Sequence, residues 1–132
     1  MATIERGPEL HRGAIACFGY EQPAWAKVKY FEAGEIICKK VLGVPGDTVT
    51  TTNNENVICH ERQCAPSGKI LAVDSHGVPV EHVAFAGAAI PAHTYYLGST
   101  RRPNSMDSRY FGLISAAKIV KTLVPILVEH DK

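Results

Sequence analysis

Glycine and proline interrupt this chain so often that a fold built on long helices is excluded. The 11 Gly and 8 Pro among 132 residues are spread along the chain rather than gathered into a linker, and both are poorly tolerated inside a helix. Between them lie short runs rich in β-branched and aromatic residues, which suit a pleated, half-buried surface. Ala14–Phe18, Val28–Phe31, Glu35–Val44, Asp47–Thr52, Val57–His60, Lys69–Val73, His93–Leu97 and Val120–Val128 read as strands. Asn53-Asn54-Glu55-Asn56 reads as a turn between two of them. Only Ser115–Lys118, after Gly112, reads as a short helical turn. The expectation is one mostly-β domain over residues 1–132, either a folded-over barrel or a pair of sheets.

Charge and hydropathy remove several classes of function. Fourteen basic and 13 acidic side chains leave a net charge of +1, and like charges do not run on, so a basic nucleic-acid surface is not expected. The weakly polar stretches Val83–Pro91 and Ile119–Val128 fall far short of the ~20 apolar residues that span a bilayer. The start carries no signal-peptide pattern. Cys59 and Cys64 flank a hairpin-like stretch, where a disulfide in an oxidising compartment would add about 2 kcal/mol. A zinc site on Cys59, His60 and Cys64 matches no common spacing and lacks a second ligand pair. Cys17 and Cys38 sit in apolar runs and read as small buried hydrophobes. No cofactor is implied.

Two segments are not ordinary strand and loop. In Lys39-Lys40-Val41-Leu42-Gly43-Val44-Pro45-Gly46-Asp47 a strand with adjacent lysines enters a rigid turn, with φ fixed by Pro and freed by Gly. Neighbouring strand residues face opposite sides, so one lysine points inward. It either snorkels to solvent or serves as a base. A free lysine, with a pKa near 10.4, is neutral in only about one molecule in a few thousand at pH 7; burial lowers that pKa and lets the amine take a hydroxyl proton. Alternation alone does not choose between Lys39 and Lys40. The second segment, Gly98 to Gly112, packs hydroxyls, one carboxylate and three guanidiniums into a loop. It reads as a solvated loop with an Asp107–Arg109 pair, or as a shell that orients a catalytic group.

Taken together, the two segments resemble the signal peptidase I family. KKVLGVPGD is similar to its lysine-bearing motif, K-R-x-x-G-x-P-G-D, and NSMDSRYFG to its C-terminal motif, N-S-x-D-S-R-x-x-G. Order and spacing agree, and the likeness runs from about Arg12 to about Val128. The short insert between the motifs, the compact length and the DSRYFG ending most resemble the TraF-like branch that matures pilin precursors. The resemblance implies a signal peptidase/LexA-like folded-over β-barrel. It also implies a Ser/Lys serine endopeptidase at the inner membrane, its catalytic domain in the periplasm. Lys39 would be the general base, Ser105 the residue that orients its amine, and Asp107, Arg109 and Lys40 a supporting charge cluster. Gly46 and Asp47 belong to the turn. The partners implied are an exported, pilin-like precursor, cleaved or cyclised, and a membrane surface reached through an N-terminal anchor.

The chain also departs from the family. The family's Gly-Asp-Asn is here Gly98-Ser99-Thr100, without its carboxylate, and one extra residue separates Gly98 from Ser105. The family's nucleophile lies in an S-x-x-P-like segment just before the strand at Ala14–Phe18. Residues 1–10 contain no serine, so the nucleophile is expected upstream of residue 1, and this stretch alone is expected to be inactive. The alternative is a catalytically inactive interaction module of a conjugation or secretion system. A LexA-like self-cleaving domain would need a cleavage site in the same chain, and none is evident. The Ala- and Gly-rich Ala84–Pro91 fits a substrate-lining surface, a membrane contact or a buried loop.

Overall fold

The computed structural model describes residues 2–4, 10–26, 28–99 and 106–125, with side chains described for all but 2–4 and 124–125. The fold is mostly β. Two sheets carry strands β1 (Ala2–Ile4), β2 (Ile15–Gly19), β3 (Ile36–Gly43), β4 (Thr48–Thr52), β5 (Glu55–His60), β6 (Gln63–Lys69), β7 (Ala86–Ala89), β8 (Thr94–Gly98), β9 (Ile114–Ser115) and β10 (Ile119–Pro125). The larger sheet runs β1-β10-β2-β3-β8-β9 and the smaller β6-β5-β4-β7, with every pairing antiparallel. One helical turn, α1 (Ser108–Phe111), and one 3₁₀ turn, Ala116–Lys118, complete the described elements.

β8 explains how the two sheets share a centre. Its residues Tyr95 and Leu97 point into one apolar cluster with Ala16, Phe18, Ile37 and Val41. Tyr96, one residue out of phase, joins the other cluster with Val49, Ile58 and Ile90. Because side chains alternate, a strand buried on both faces serves two cores. The phenol of Tyr96 needs a partner in that dry setting, and it accepts from Asn56 Nδ2 at 2.8 Å and meets Ser67 Oγ at 2.8 Å.

Several local expectations are corrected. Val28–Phe31 is loop rather than strand, held by the Tyr30 hydroxyl on Asp74 and by Trp25–Tyr30 packing rather than by a ladder. Lys69–Val73 contributes only its first residue to a strand, and the strand there is β6, which carries Pro66 and Gly68 and is exposed apart from Ser67 and Gly68. Such an edge has no alternation to betray it. The open reading of Ala84–Pro91 resolves into edge strand β7 on β4. α1 falls within a segment expected to be loop, because one turn with an Asp cap has too little periodicity to detect. The turn at Asn53 and Asn54 is present with both residues at positive φ (53° and 59°), which asparagine tolerates. The end of the Val120–Val128 run lies outside the described residues.

Cys17 and Cys38 are not free hydrophobes. They face each other across β2 and β3 and form a disulfide, and Cys38 is exposed. Cys59 and Cys64 form a second disulfide across β5 and β6, which also removes both sulfurs from any metal set.

Candidate active site

β3 chooses between the two lysines. Ile37 and Val41 are buried in the first core, and Lys39 lies between them on the same face, half-buried and paired across the ladder with fully buried Ala16. Cys38 and Lys40 face the other way and are exposed. Lys39 lines a cavity of about 330 Å³, walled by Tyr30, Phe31, Leu71 and Val80 and floored by Met106 and Tyr110. The aromatic and loop residues of this wall carry no sequence signal of their own, since they come from segments with no shared periodicity.

The turn after β3 is fixed by Asp47, whose side chain is fully buried. Its carboxylate accepts from Val44 N at 3.0 Å, Arg12 Nη2 at 2.6 Å and His60 Nδ1 at 2.7 Å. Burial pushes its pKa up, but these three donors win and hold it below the usual carboxylate range. Gly46 supplies the positive φ of the turn (94°). Arg12 carries no role in the sequence reading and His60 is weighed there only as a zinc ligand, because the fold alone brings both to Asp47.

The second motif is anchored by a fully buried ion pair. Asp107 caps α1, accepting from the Arg109 backbone N at 3.0 Å. The same carboxylate accepts from Arg109 Nε at 2.9 Å and Nη2 at 3.1 Å, while Nη1 donates to the Lys69 carbonyl. Burial would lower the Arg109 pKa, yet its hydrogen bond and charge contact with Asp107 raise it. The pair requires absent side chains around it. A Cβ at Gly98 would stand 3.3 Å from Asp107 Oδ2, and one at Gly68 3.3 Å from Arg109 Nη1. Neighbouring atoms of this motif tie the chain together: Ser108 Oγ accepts from Leu97 N at 2.9 Å, and the Tyr110 hydroxyl accepts from Leu71 N at 3.0 Å.

Of the residues singled out in the sequence, Lys39 therefore shares a cavity with Met106 and Tyr110 of the second motif. Asp107 and Arg109 pair one turn away. Lys40 pairs with Gly98 across the ladder, on the face where Asp107 approaches, but it is exposed and has no ion pair among the described residues. Ser105 lies outside the described residues. No group of three His, Cys, Asp or Glu suited to a metal occurs among the described residues. No helix among them is long and apolar enough to cross a membrane.

The β scaffold thus carries a half-buried lysine at a cavity that the second motif also lines, and a buried Asp–Arg pair within that motif. The family model described as "Signal peptidase, peptidase S26" matches residues 3–127, and the chain belongs to that family of serine proteases. No curated protein matches the chain. Among solved structures, it is similar to a signal peptidase I from Enterococcus faecalis V583, with 20% identity over 92% of this chain and 100% of that one and a TM-score of 0.48.

Proposed function

We propose that this domain supplies the base half of a Ser/Lys dyad that cleaves an exported precursor, with Lys39 as general base. The observation that carries this reading is the single cavity to which the first motif contributes Lys39 and the second Met106 and Tyr110. The apolar part of the lining, Phe31, Leu71, Val73 and Val80, favours the neutral amine, against Asp74 in the same wall, which favours the charged one. That amine takes the proton from a serine hydroxyl as Oγ attacks the scissile carbonyl carbon, and returns it to the leaving amine as the acyl-enzyme forms. Ser105 holds the amine in line, and Asp107 with Arg109 fixes the corner from which Met106 and Tyr110 reach the cavity. Lys40 contributes positive charge beside that corner.

The substrate binds as an added strand. β8 pairs with β3 only from Lys40 onward, so Ile36–Lys39 have β2 as their only ladder neighbour among the described residues, and Ile36 is 53% exposed. An extended peptide along that side of β3 would run past Lys39. A pilin-like exported precursor is the substrate favoured by the short insert between the motifs and the DSRYFG ending. Its acyl-enzyme is resolved by water or by the precursor's own amino terminus, the latter giving a cyclic product.

The test is co-expression of the full-length gene product with its candidate pilin precursor, followed by mass spectrometry, with Lys39→Ala beside wild type. Processing that stops in Lys39→Ala is the expected result, and a product one water lighter marks cyclisation. Processing that continues in Lys39→Ala removes Lys39 as base. No processing by either well-expressed protein points to an interaction module instead.

A further inference from the structure

The Cys17–Cys38 disulfide stands one ladder step from Lys39. Cys17 pairs with Cys38, and the next pair along is Ala16 with Lys39. Over Ile36–Lys39 the strand paired with β3 among the described residues is β2. On the far side, the β3–β8 register is irregular between Val41 and Gly43, which weakens β8 as a second guide. The connection from β2 to β3, Tyr20–Glu35, is long and closed by only a few backbone bonds, Tyr20 N to Glu35 O and Gly34 N to Tyr20 O among them. A covalent link at this point locks the β2–β3 ladder at the pair next to Lys39.

We propose that the Cys17–Cys38 disulfide is a positioning device for Lys39, and that a dithiol reductant switches the enzyme down by opening it. This inference rests on the reading of Lys39 as general base. The two ends of the bond differ in access: Cys17 is fully buried, whereas Cys38 is exposed on the outer face beside Ile36. A thiolate of the dithiol attacks Cys38 Sγ, the bond to Cys17 breaks, and Cys17 leaves as a thiolate that takes up a proton. The second thiol of the reductant then attacks the mixed disulfide, releasing Cys38 as a thiol. Two electrons and two protons pass to the protein, and the reductant ends as a disulfide. The Cys59–Cys64 bond is the internal comparison, because it joins β5 and β6 in the other sheet and does not border the Lys39 cavity.

The experiment measures precursor processing by the full-length protein as wild type, as Cys17→Ala/Cys38→Ala, as Cys59→Ala/Cys64→Ala and as Lys39→Ala. A base displaced by even a fraction of an ångström loses rate rather than substrate affinity, on the order of tenfold or more in kcat. The Cys17/Cys38 pair is expected to show that loss with KM little changed, and to move the acid limb of the kcat–pH profile, which reports the base. The Cys59/Cys64 pair is expected to keep wild-type kcat. Should the Cys17/Cys38 variant fail to fold, wild type is instead titrated with dithiothreitol, with alkylation and mass spectrometry to show which disulfide has opened. Activity that falls with opening of Cys17–Cys38 at unchanged near-ultraviolet circular dichroism, and returns on reoxidation, supports the proposal. Full activity and an unmoved acid limb with Cys17–Cys38 open overturn it while leaving the base assignment standing. Activity retained in Lys39→Ala overturns the base assignment itself.

Discussion

Asp107→Ala tests whether the second motif is held by its ion pair. In the native protein Arg109 has no exposed surface, and three of its donors, the backbone N, Nε and Nη2, fall on the Asp107 carboxylate. Removing the carboxylate leaves a buried guanidinium charge without its anionic partner, Nη1 still donating to the Lys69 carbonyl. Breaking one side of such a pair costs about 3–5 kcal/mol, and the lost helix cap adds about 1 kcal/mol. Against a total of roughly 5–15 kcal/mol for a domain, this is a large fraction, and at 2–4 °C per kcal/mol it lowers Tm by roughly 10 °C or more. Guanidinium unfolding of Asp107→Ala, Arg109→Met and the double variant measures it. The double variant removes both charges, so its loss is expected to fall short of the two single losses added together by about 2 kcal/mol or more. A single-variant cost under about 1 kcal/mol, or simple additivity, would refute the argument that these two charges hold each other.

Three further outcomes follow from the geometry. Because the folded Asp47 pKa is held below the unfolded value of about 3.9, its stabilisation is fully present above that value and lost as pH falls toward the folded pKa; the gap in urea midpoint between wild type and Asp47→Asn should therefore close below about pH 4. Gly43→Ala places a Cβ 2.9 Å from Ile90 Cδ1 and 3.1 Å from Tyr96 Cβ, and the overpacking is expected to cost about 1–3 kcal/mol in the same unfolding assay. Burial first, then its hydrogen bond to the Asp74 carboxylate, pushes the Tyr30 hydroxyl up to about 12. Ultraviolet titration of Tyr30→Phe should accordingly lose one late-ionising phenol and no early one.

How much of this was legible in the sequence depended on whether the signal was local. Strands buried on one or both faces, β3, β5 and β8 among them, show as runs of branched and aromatic residues because burial itself demands those residues. Edge strands β6 and β7 do not, since an exposed edge tolerates Pro66, Gly68 and Gly87. Aromatic character misled in the opposite direction at Val28–Phe31, where Tyr30 and Phe31 serve to wall a cavity and pack on Tyr20 and Trp25. The same division holds at the site. KKVLGVPGD and NSMDSRYFG are each contiguous and were readable as motifs, whereas the Arg12–Asp47–His60 cluster and the Cys17–Cys38 bond join residues far apart in sequence.

The choice between Lys39 and Lys40 shows what the fold adds. Their sequence neighbours are apolar on both sides, so the strand pattern is symmetrical about them. The symmetry breaks outside the segment: Ala16, opposite Lys39, is a small residue that leaves room for an amine on the core face, and Gly98, opposite Lys40, leaves room for the Asp107 carboxylate on the other. Two small residues on flanking strands thus sort two identical lysines, one toward the cavity and one beside the brace. Enlarging Ala16 to valine would crowd the first without touching the second. Processing by Ala16→Val should therefore fall while the Asp107–Arg109 brace, read by unfolding free energy in the Arg109→Met background, stays coupled as before; a variant that uncouples the brace instead would mean the two faces of β3 are not independent.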